Sequence, residues 1–214
     1  MNIASLGRRI EHLIHTDPSV LASMVFDSGF SCQRCGWCCR ENFSIRITRD
    51  ILRPSNAVSV FPDDVRHIIK NTGMQWDEIA EPDIYSCLSD GNIIWVIGWI
   101  LRRSREDDCI FYRNHECSAY EYRPLICRCY PFFMGENGVE VMYCNGMGNK
   151  MTPETAAEIG KLLKKYELKK LRNYISIIRQ MGDVLRLSSL RSIPGDYPGE
   201  IILCDGEAVS VRRL

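Results

Sequence analysis

The chain has no long apolar run, no excess of charge of either sign and few histidines, and each lack excludes something. Its longest apolar stretch, IIWVIGWIL from Ile93 to Leu101, is about half of what a membrane-spanning helix needs. Lysine plus arginine and aspartate plus glutamate stand at 27 each, so no global field points to nucleic acid or to a membrane surface. The opening MNIASLGRRIEHLIHTDPSVL mixes charges into its apolar residues and lacks an apolar core followed by a small-residue cleavage site, so it does not read as a secretory signal. There is no internal repeat, no low-complexity segment and no composition shift marking two large domains. A soluble, cytoplasmic protein is expected. With 214 residues, 45% hydrophobic and 25% charged, the chain is long enough to bury a real core and ordinary in composition.

Against four histidines stand eleven cysteines. In a reducing cytosol, thiols on this scale point to metal ligands or redox groups rather than to a disulfide framework. Soft thiolates select zinc, copper(I) or iron–sulfur centres, and magnesium and calcium are poor candidates. His12, His15 and His67 fall on expected helices away from the cysteines, and His115 reads as a loop residue.

The stretch SCQRCGWCCREN, Ser31 to Asn42, places Cys32, Cys35, Cys38 and Cys39 within eight residues. As a helix it would gather Cys32, Cys35 and Cys39 within roughly a third of the circumference, with Cys38 farther round. As an extended loop it would send Cys38 and Cys39 to opposite sides. In either case one tetrahedral ion does not readily take all four, and later cysteines are needed. Gly36 suits a tight knuckle whose backbone amides point at thiolate sulfur.

The remaining pattern is mixed α+β: a small single domain with a cysteine-rich core, short antiparallel strands and a long C-terminal helix. Apolar residues at helical spacing (Leu6, Ile10, Leu13, Ile14) and a break at Asp17-Pro18 predict one or two N-terminal helices. FSIRIT (43–48), GNIIWVIGWILRR (91–103) and GVEVMYC (138–144) read as strands, the last after a turn at Glu136-Asn137-Gly138. FPDDVRHIIKNTG reads as a helix with Pro62 at its start and Gly73 past its end. Thr152-Pro153-Glu154 opens a long helix, with apolar positions from Ile159 to Leu185. A terminal hairpin is expected around Asp205-Gly206. Residues 1–150 are expected to hold the cysteine cluster and N-terminal helices, and 151–214 the long helix with the hairpin packed on it.

The ordered series CQRCGWCC, DCIFY, CSAYEYRPLICRCYPF and CNGMG resembles the CxxCxxCC cysteine-cluster family of small prokaryotic proteins, described as zinc- or iron-chelating, over roughly residues 30–149. The resemblance implies a metal site of eight cysteines: Cys32, Cys35, Cys38, Cys39, Cys109, Cys117, Cys127 and Cys144. Cys87, Cys129 and Cys204 fall outside the pattern and read as small buried hydrophobes. A more distant similarity to the cysteine cluster of flagellin lysine methylases suggests an iron–sulfur centre in a methylating enzyme. This chain carries no glycine-rich fingerprint for a methyl-donor nucleotide.

Eight thiolates admit two four-thiolate zinc sites, two [4Fe-4S] clusters, or one cluster with spare thiols. The irregular spacing matches neither the cysteine run of bacterial ferredoxins nor the paired CxxC elements of a zinc ribbon; the vicinal pair argues against closed tetrahedral zinc, so iron–sulfur, as [4Fe-4S], is expected and zinc is the alternative. Pro124 and Pro131 bracket Cys127 and fix where it points. Arg123 and Arg128 can hydrogen-bond a site of net negative charge; the alternative is pairing with Asp107, Asp108 or Glu121. Tyr120, Tyr122, Tyr130, Phe132 and Phe133 are expected to cover the site from water. The long helix has a basic face (Lys161, Lys164, Lys165, Lys169, Lys170, Arg172, Arg179) that suits solvent or an acidic protein partner. It lacks aromatic stacking platforms for nucleic acid. The expected function is a metal-binding protein with an electron-transfer or accessory redox role. The alternatives are a zinc-stabilised module binding a protein or RNA partner, and a methylase-like modifying enzyme.

Overall fold

The structure is a computed structural model that describes residues 3–40, 44–46, 52–54, 57–83, 87–90, 93–96, 98–135, 138–181, 186–188, 200–204 and 209–212. Helices α1 (Ile3–His15), α2 (Pro18–Ser28), α3 (Pro62–Thr72), α4 (Trp76–Ile79), α5 (Leu125–Cys129) and α6 (Pro153–Met181) alternate with strands of two to five residues. The architecture is mixed α+β, as the sequence pattern predicts.

Local chemistry sets the helix ends. The Asp17 side chain accepts from the Ser19 N–H at 2.9 Å, Pro18 takes the first position of α2 and Gly29 follows its end. On α3, Pro62 opens the helix and the Asp64 carboxylate accepts the Phe61 N–H at 3.0 Å. The Thr152 hydroxyl accepts the Thr155 N–H at 3.2 Å and so caps α6. Helix α6 spans 29 residues and is the backbone of a helical layer. Leu6, Leu13 and Leu171 form one buried cluster between α1 and α6. Val25 on α2 joins Ala156, Ile159 and Leu163 on α6 in another, with Phe30, Cys129 and Phe132. Gly160 permits the close approach of α2, because a Cβ there would lie 2.9 Å from the Ala22 nitrogen. Glu167, buried in this layer, is held by Arg9 at 3.1 Å and Lys170 at 2.5 Å.

A second core lies among the short elements: Val60, Val65, Ile68, Ile79, Val96, Trp99, Leu101 and Phe111, with Cys39 and Cys109 among them. Residues 59–60, 99–101 and 80–82 form an antiparallel three-stranded sheet. A five-stranded sheet runs in the order 186–188, 87–90, 93–96, 200–204, 209–212.

Two expectations change here. The segment 91–103 is two strands in different sheets, Ile93–Val96 and Trp99–Leu101. Between them the Gly98 carbonyl accepts the Asp83 N–H at 2.9 Å, which ties the chain to a new neighbour. The strands are also not all antiparallel, since Glu200–Cys204 runs parallel to Ile93–Val96; a long connection makes that pairing possible. The expected strand pairing of the terminal hairpin is present, 200–204 against 209–212. Its turn at 205–206, the turn residues 136 and 137, and the register of the long helix out to Leu185 lie outside the described residues. Among the described residues, no helix is long and apolar enough to cross a membrane.

Candidate metal centre

Between the two cores lies a cavity of about 700 Å³, and Cys32, Cys35, Cys38, Cys39, Cys109, Cys117, Cys127 and Cys144 all line it. Five short segments bring them there. The stretch 30–36 has no regular structure, and Phe30 bridges Met147 while the Ser31 N–H donates to the Gly146 carbonyl at 3.0 Å. That pairing sets Cys32 and Cys35 beside Cys144. The chain then turns at Gly36 into one 3₁₀ turn, Trp37–Cys39. Gly36 has φ 68°, and a Cβ there would lie 2.1 Å from the Tyr112 ring, so glycine is required both by backbone and by space. Neither a regular helix nor an extended loop describes this segment, and Cys38 and Cys39 both face the cavity.

The Cys109 N–H donates to the Cys39 carbonyl at 2.6 Å. Cys117 sits opposite Tyr112 in a two-residue hairpin. Cys127 rides on α5, whose first amide, Leu125 N–H, donates to the Asp64 carboxylate at 3.0 Å. One aspartate thereby fixes the start of α3 and the start of α5 together. Two residues on, Cys129 is fully buried in the helical core with Phe30 and Phe132, and burial pushes its thiol up to about 12. It packs as a small hydrophobe and takes no place in the cavity wall. Cys87 and Cys204 lie on strands 87–90 and 200–204.

The sulfurs interact with one another. Cys38 and Cys39 are 4.0 Å apart. Hydrogen bonds to the Cys109, Cys117 and Cys38 sulfurs, with burial, hold the Cys39 thiol far above its ordinary range. Cys117 is brought down to about 7, chiefly by the Cys39 thiol, with the Ala119 N–H and the Arg123 guanidinium helping against burial. Cys38 is also lowered, chiefly by its contact with Cys39. Burial raises Cys127, reinforced by neighbouring thiolates. Burial also raises Cys144, opposed by the Gly146 N–H, which points at its sulfur at 3.4 Å. Backbone amides act on sulfur at the knuckle after Gly36, where the Cys38 N–H helps lower the Cys38 thiol, as well as at Ala119 and Gly146.

The donor set is sulfur with hardly any oxygen. Glu158 is the one carboxylate in the described cavity wall, and it is paired with Arg128 at 3.3 Å. No three described His, Cys, Asp or Glu side chains are disposed as a group that could hold one ion. Among the thiols, Cys38, Cys109 and Cys117 each contact Cys39. Soft, electron-rich donors of this kind fit zinc, copper(I) or iron–sulfur and do not fit hard cations.

Both predicted arginines line the cavity. Arg123 stacks 3.8 Å over the Tyr120 ring, with its charge towards Cys117 and Cys38. Arg34 covers Tyr120 as well, at 4.2 Å, and meets Glu121 at 4.0 Å. Asp107 pairs with Arg103 instead. Of the aromatics expected over the site, Tyr120 and Tyr130 line the cavity, whereas Tyr122 packs against the second core and Phe132 in the helical one. His115 is exposed, 3.4 Å from the Tyr112 hydroxyl.

Sequence reading did not single out Thr155, Ile159 and Leu162 of α6 or Val58 as part of the cavity lining. Their spacing on α6 signals a buried face but not what that face covers.

Residues 31–145, more than half of the chain, match the CxxCxxCC family model, described as "putative zinc- or iron-chelating domain". The chain belongs to that family, and membership supports metal binding by its cysteines. Neither the curated proteins nor the solved structures include a match to it.

Proposed function

We propose that this member of the CxxCxxCC family carries an iron–sulfur centre on its eight cavity cysteines and serves an electron-transfer or accessory redox step. The observation that carries the reading is the convergence of eight thiols on one cavity of about 700 Å³. That is far more room than one ion with its ligands needs, and it falls in the range of about 300–1,000 Å³ typical of small-molecule and cofactor sites.

Such a centre, when bound, supplies one-electron chemistry at a potential set by its ligands, hydrogen bonds and exposure. The chain's own residues do the rest. Cys39 and Cys109 are buried and Cys32, Cys35 and Cys38 are exposed, so the thiol set reaches from the core to the surface. Arg123 sets positive charge against an otherwise negative group of thiolates and favours their deprotonated form. The Gly146 amide does the same for Cys144. Tyr130, whose hydroxyl donates to the Tyr143 carbonyl, and Tyr120 wall the cavity.

A zinc reading keeps its place because the family description names zinc beside iron. There the metal would supply folding free energy and α6 would offer its basic face to an acidic protein. On that face Lys161, Lys165 and Arg172 are exposed, while Lys164 donates to the Ile14 and Thr16 carbonyls, and Lys169 pairs with Asp63.

Anaerobic purification and an ultraviolet-visible spectrum before and after dithionite separate the two. A brown protein whose broad absorption bleaches supports the redox reading. A colourless protein with stoichiometric zinc, unfolding on chelation, overturns it.

A further inference from the structure

The eight cavity cysteines fall into two neighbourhoods. Cys39 and Cys109 are buried in the second core, and Cys117 packs against it. The Cys109 N–H donates to the Cys39 carbonyl, the Tyr112 N–H donates to the Cys109 carbonyl at 2.8 Å, and Tyr112 pairs with Cys117 across its hairpin. These links set the Cys109 and Cys117 sulfurs against that of Cys39. Cys127 enters from α5, and the thiols whose charges act on it are Cys109 first, then Cys38 and Cys117.

The second neighbourhood is tied to the helical core, against which Cys144 and Met147 pack. The Phe30 to Met147 bridge, the Ser31 to Gly146 hydrogen bond and a third from the Gly148 N–H to the Gly29 carbonyl at 3.0 Å lay the start of the first motif along the segment that carries Cys144. The thiols whose charges act on Cys144 are Cys35, Cys38 and Cys32. Those three recur at every third position of the motif, and all are exposed.

Cys38 stands where the neighbourhoods meet, 4.0 Å from Cys39. Ligand number decides its place. Four thiolates complete a zinc site or a [4Fe-4S] cluster, and Cys39, Cys109, Cys117 and Cys127 are four without it, whereas Cys32, Cys35 and Cys144 lack one.

We propose that the eight thiols form two four-cysteine sites, an inner one of Cys39, Cys109, Cys117 and Cys127 and an outer one of Cys32, Cys35, Cys38 and Cys144, with the vicinal pair divided between them. The division rests on the iron–sulfur reading, because a cluster spreads its ligands over several metal atoms and does not ask four sulfurs to converge on one point. The outer site holds the exposed thiols and the inner one the buried thiols, and a single peptide bond joins them.

The test counts iron, zinc and acid-labile sulfide per chain on the full protein purified anaerobically, with folding checked by circular dichroism. The outer variant Cys32→Ser, Cys35→Ser and the inner variant Cys109→Ser, Cys127→Ser should each keep about half of the wild-type metal and sulfide, since each cluster takes four cysteines. Adding Cys38→Ser to the outer variant should remove nothing more, whereas adding Cys39→Ser should remove the remainder. If the buried Cys109→Ser change impairs folding, the outer series still decides the matter. Loss of all metal from the outer variant, or retention of all of it, overturns the division, as does an equal response to Cys38→Ser and Cys39→Ser in that background. Iron and sulfide in the wild type would then leave the iron–sulfur reading standing without it. Zinc lost in the same halves would sink the iron–sulfur reading and leave the division standing.

Discussion

Leu163 on α6 and Cys39 in the 3₁₀ turn are both buried, yet they sit in parts of the molecule held together by different means. Around Leu163, long helices mesh through apolar residues at helical spacing, with α2 drawn close at Gly160. Around Cys39, the elements are two to five residues long, apart from α3, and part of the packed interior is sulfur. Elements this short are marginal by themselves. The helical layer is held by apolar burial that also takes in Phe30, Cys129 and Phe132, whereas the core around Cys39 buries thiols beside its hydrocarbon.

Metal removal should part the two regions most strongly. Stripping the metal anaerobically with a chelator is expected to lose several kcal/mol of stability from the cysteine region, by analogy with other thiolate domains. Near-ultraviolet circular dichroism from Trp37 and its neighbours should collapse while most of the helical signal persists. Simultaneous loss of both signals would break the comparison. Leu163→Ala, on the other side, should cost about 2–5 kcal/mol in urea unfolding and leave metal stoichiometry intact in the folded fraction. Gly36→Ala should cost about 1–3 kcal/mol and, unlike Leu163→Ala, lower metal loading, because the Tyr112 ring occupies the space of the new methyl.

How legible each region is in the sequence follows the same division. The starts of α2, α3 and α6 were readable because capping and proline chemistry is local: Asp17-Pro18, Phe61-Pro62 and Thr152-Pro153 act on their own neighbours. The cysteine set was readable as ordered motifs, and the structure gathers all eight at one cavity. What spacing could not give was the path between them. The Ser31 to Gly146 hydrogen bond and the shared Asp64 anchor join residues far apart in the chain, and no local pattern encodes such pairings. Likewise, segment 91–103 looked like one strand because both halves are apolar and rich in β-branched and aromatic residues, while the pairing of its second half with 59–60 and 80–82, which divides it, is not encoded in its own pattern.

Smaller perturbations sharpen the contrast within the helical layer. Thr152→Ala should cost about 1 kcal/mol of thermal stability through the lost cap without altering metal content. The Lys169 ammonium, hydrogen-bonded to Asp63, holds that carboxyl below its ordinary value. Its stabilisation is therefore present above about pH 4 and lost as pH falls through the folded value. Because the pair is largely exposed, Lys169→Met should remove less than about 1 kcal/mol at neutral pH, and the difference from wild type should vanish in acid unfolding curves.

The most direct test of the thiol set is a count of metal and acid-labile sulfide per chain after anaerobic purification, for wild type, Cys129→Ser and the double variant Cys38→Ser, Cys39→Ser. Iron and sulfide retained in wild type and Cys129→Ser, and lost from the double variant, is the expected result. Metal retained by the double variant, or absent from wild type, would contradict the assignment of these cavity cysteines as one metal-holding set.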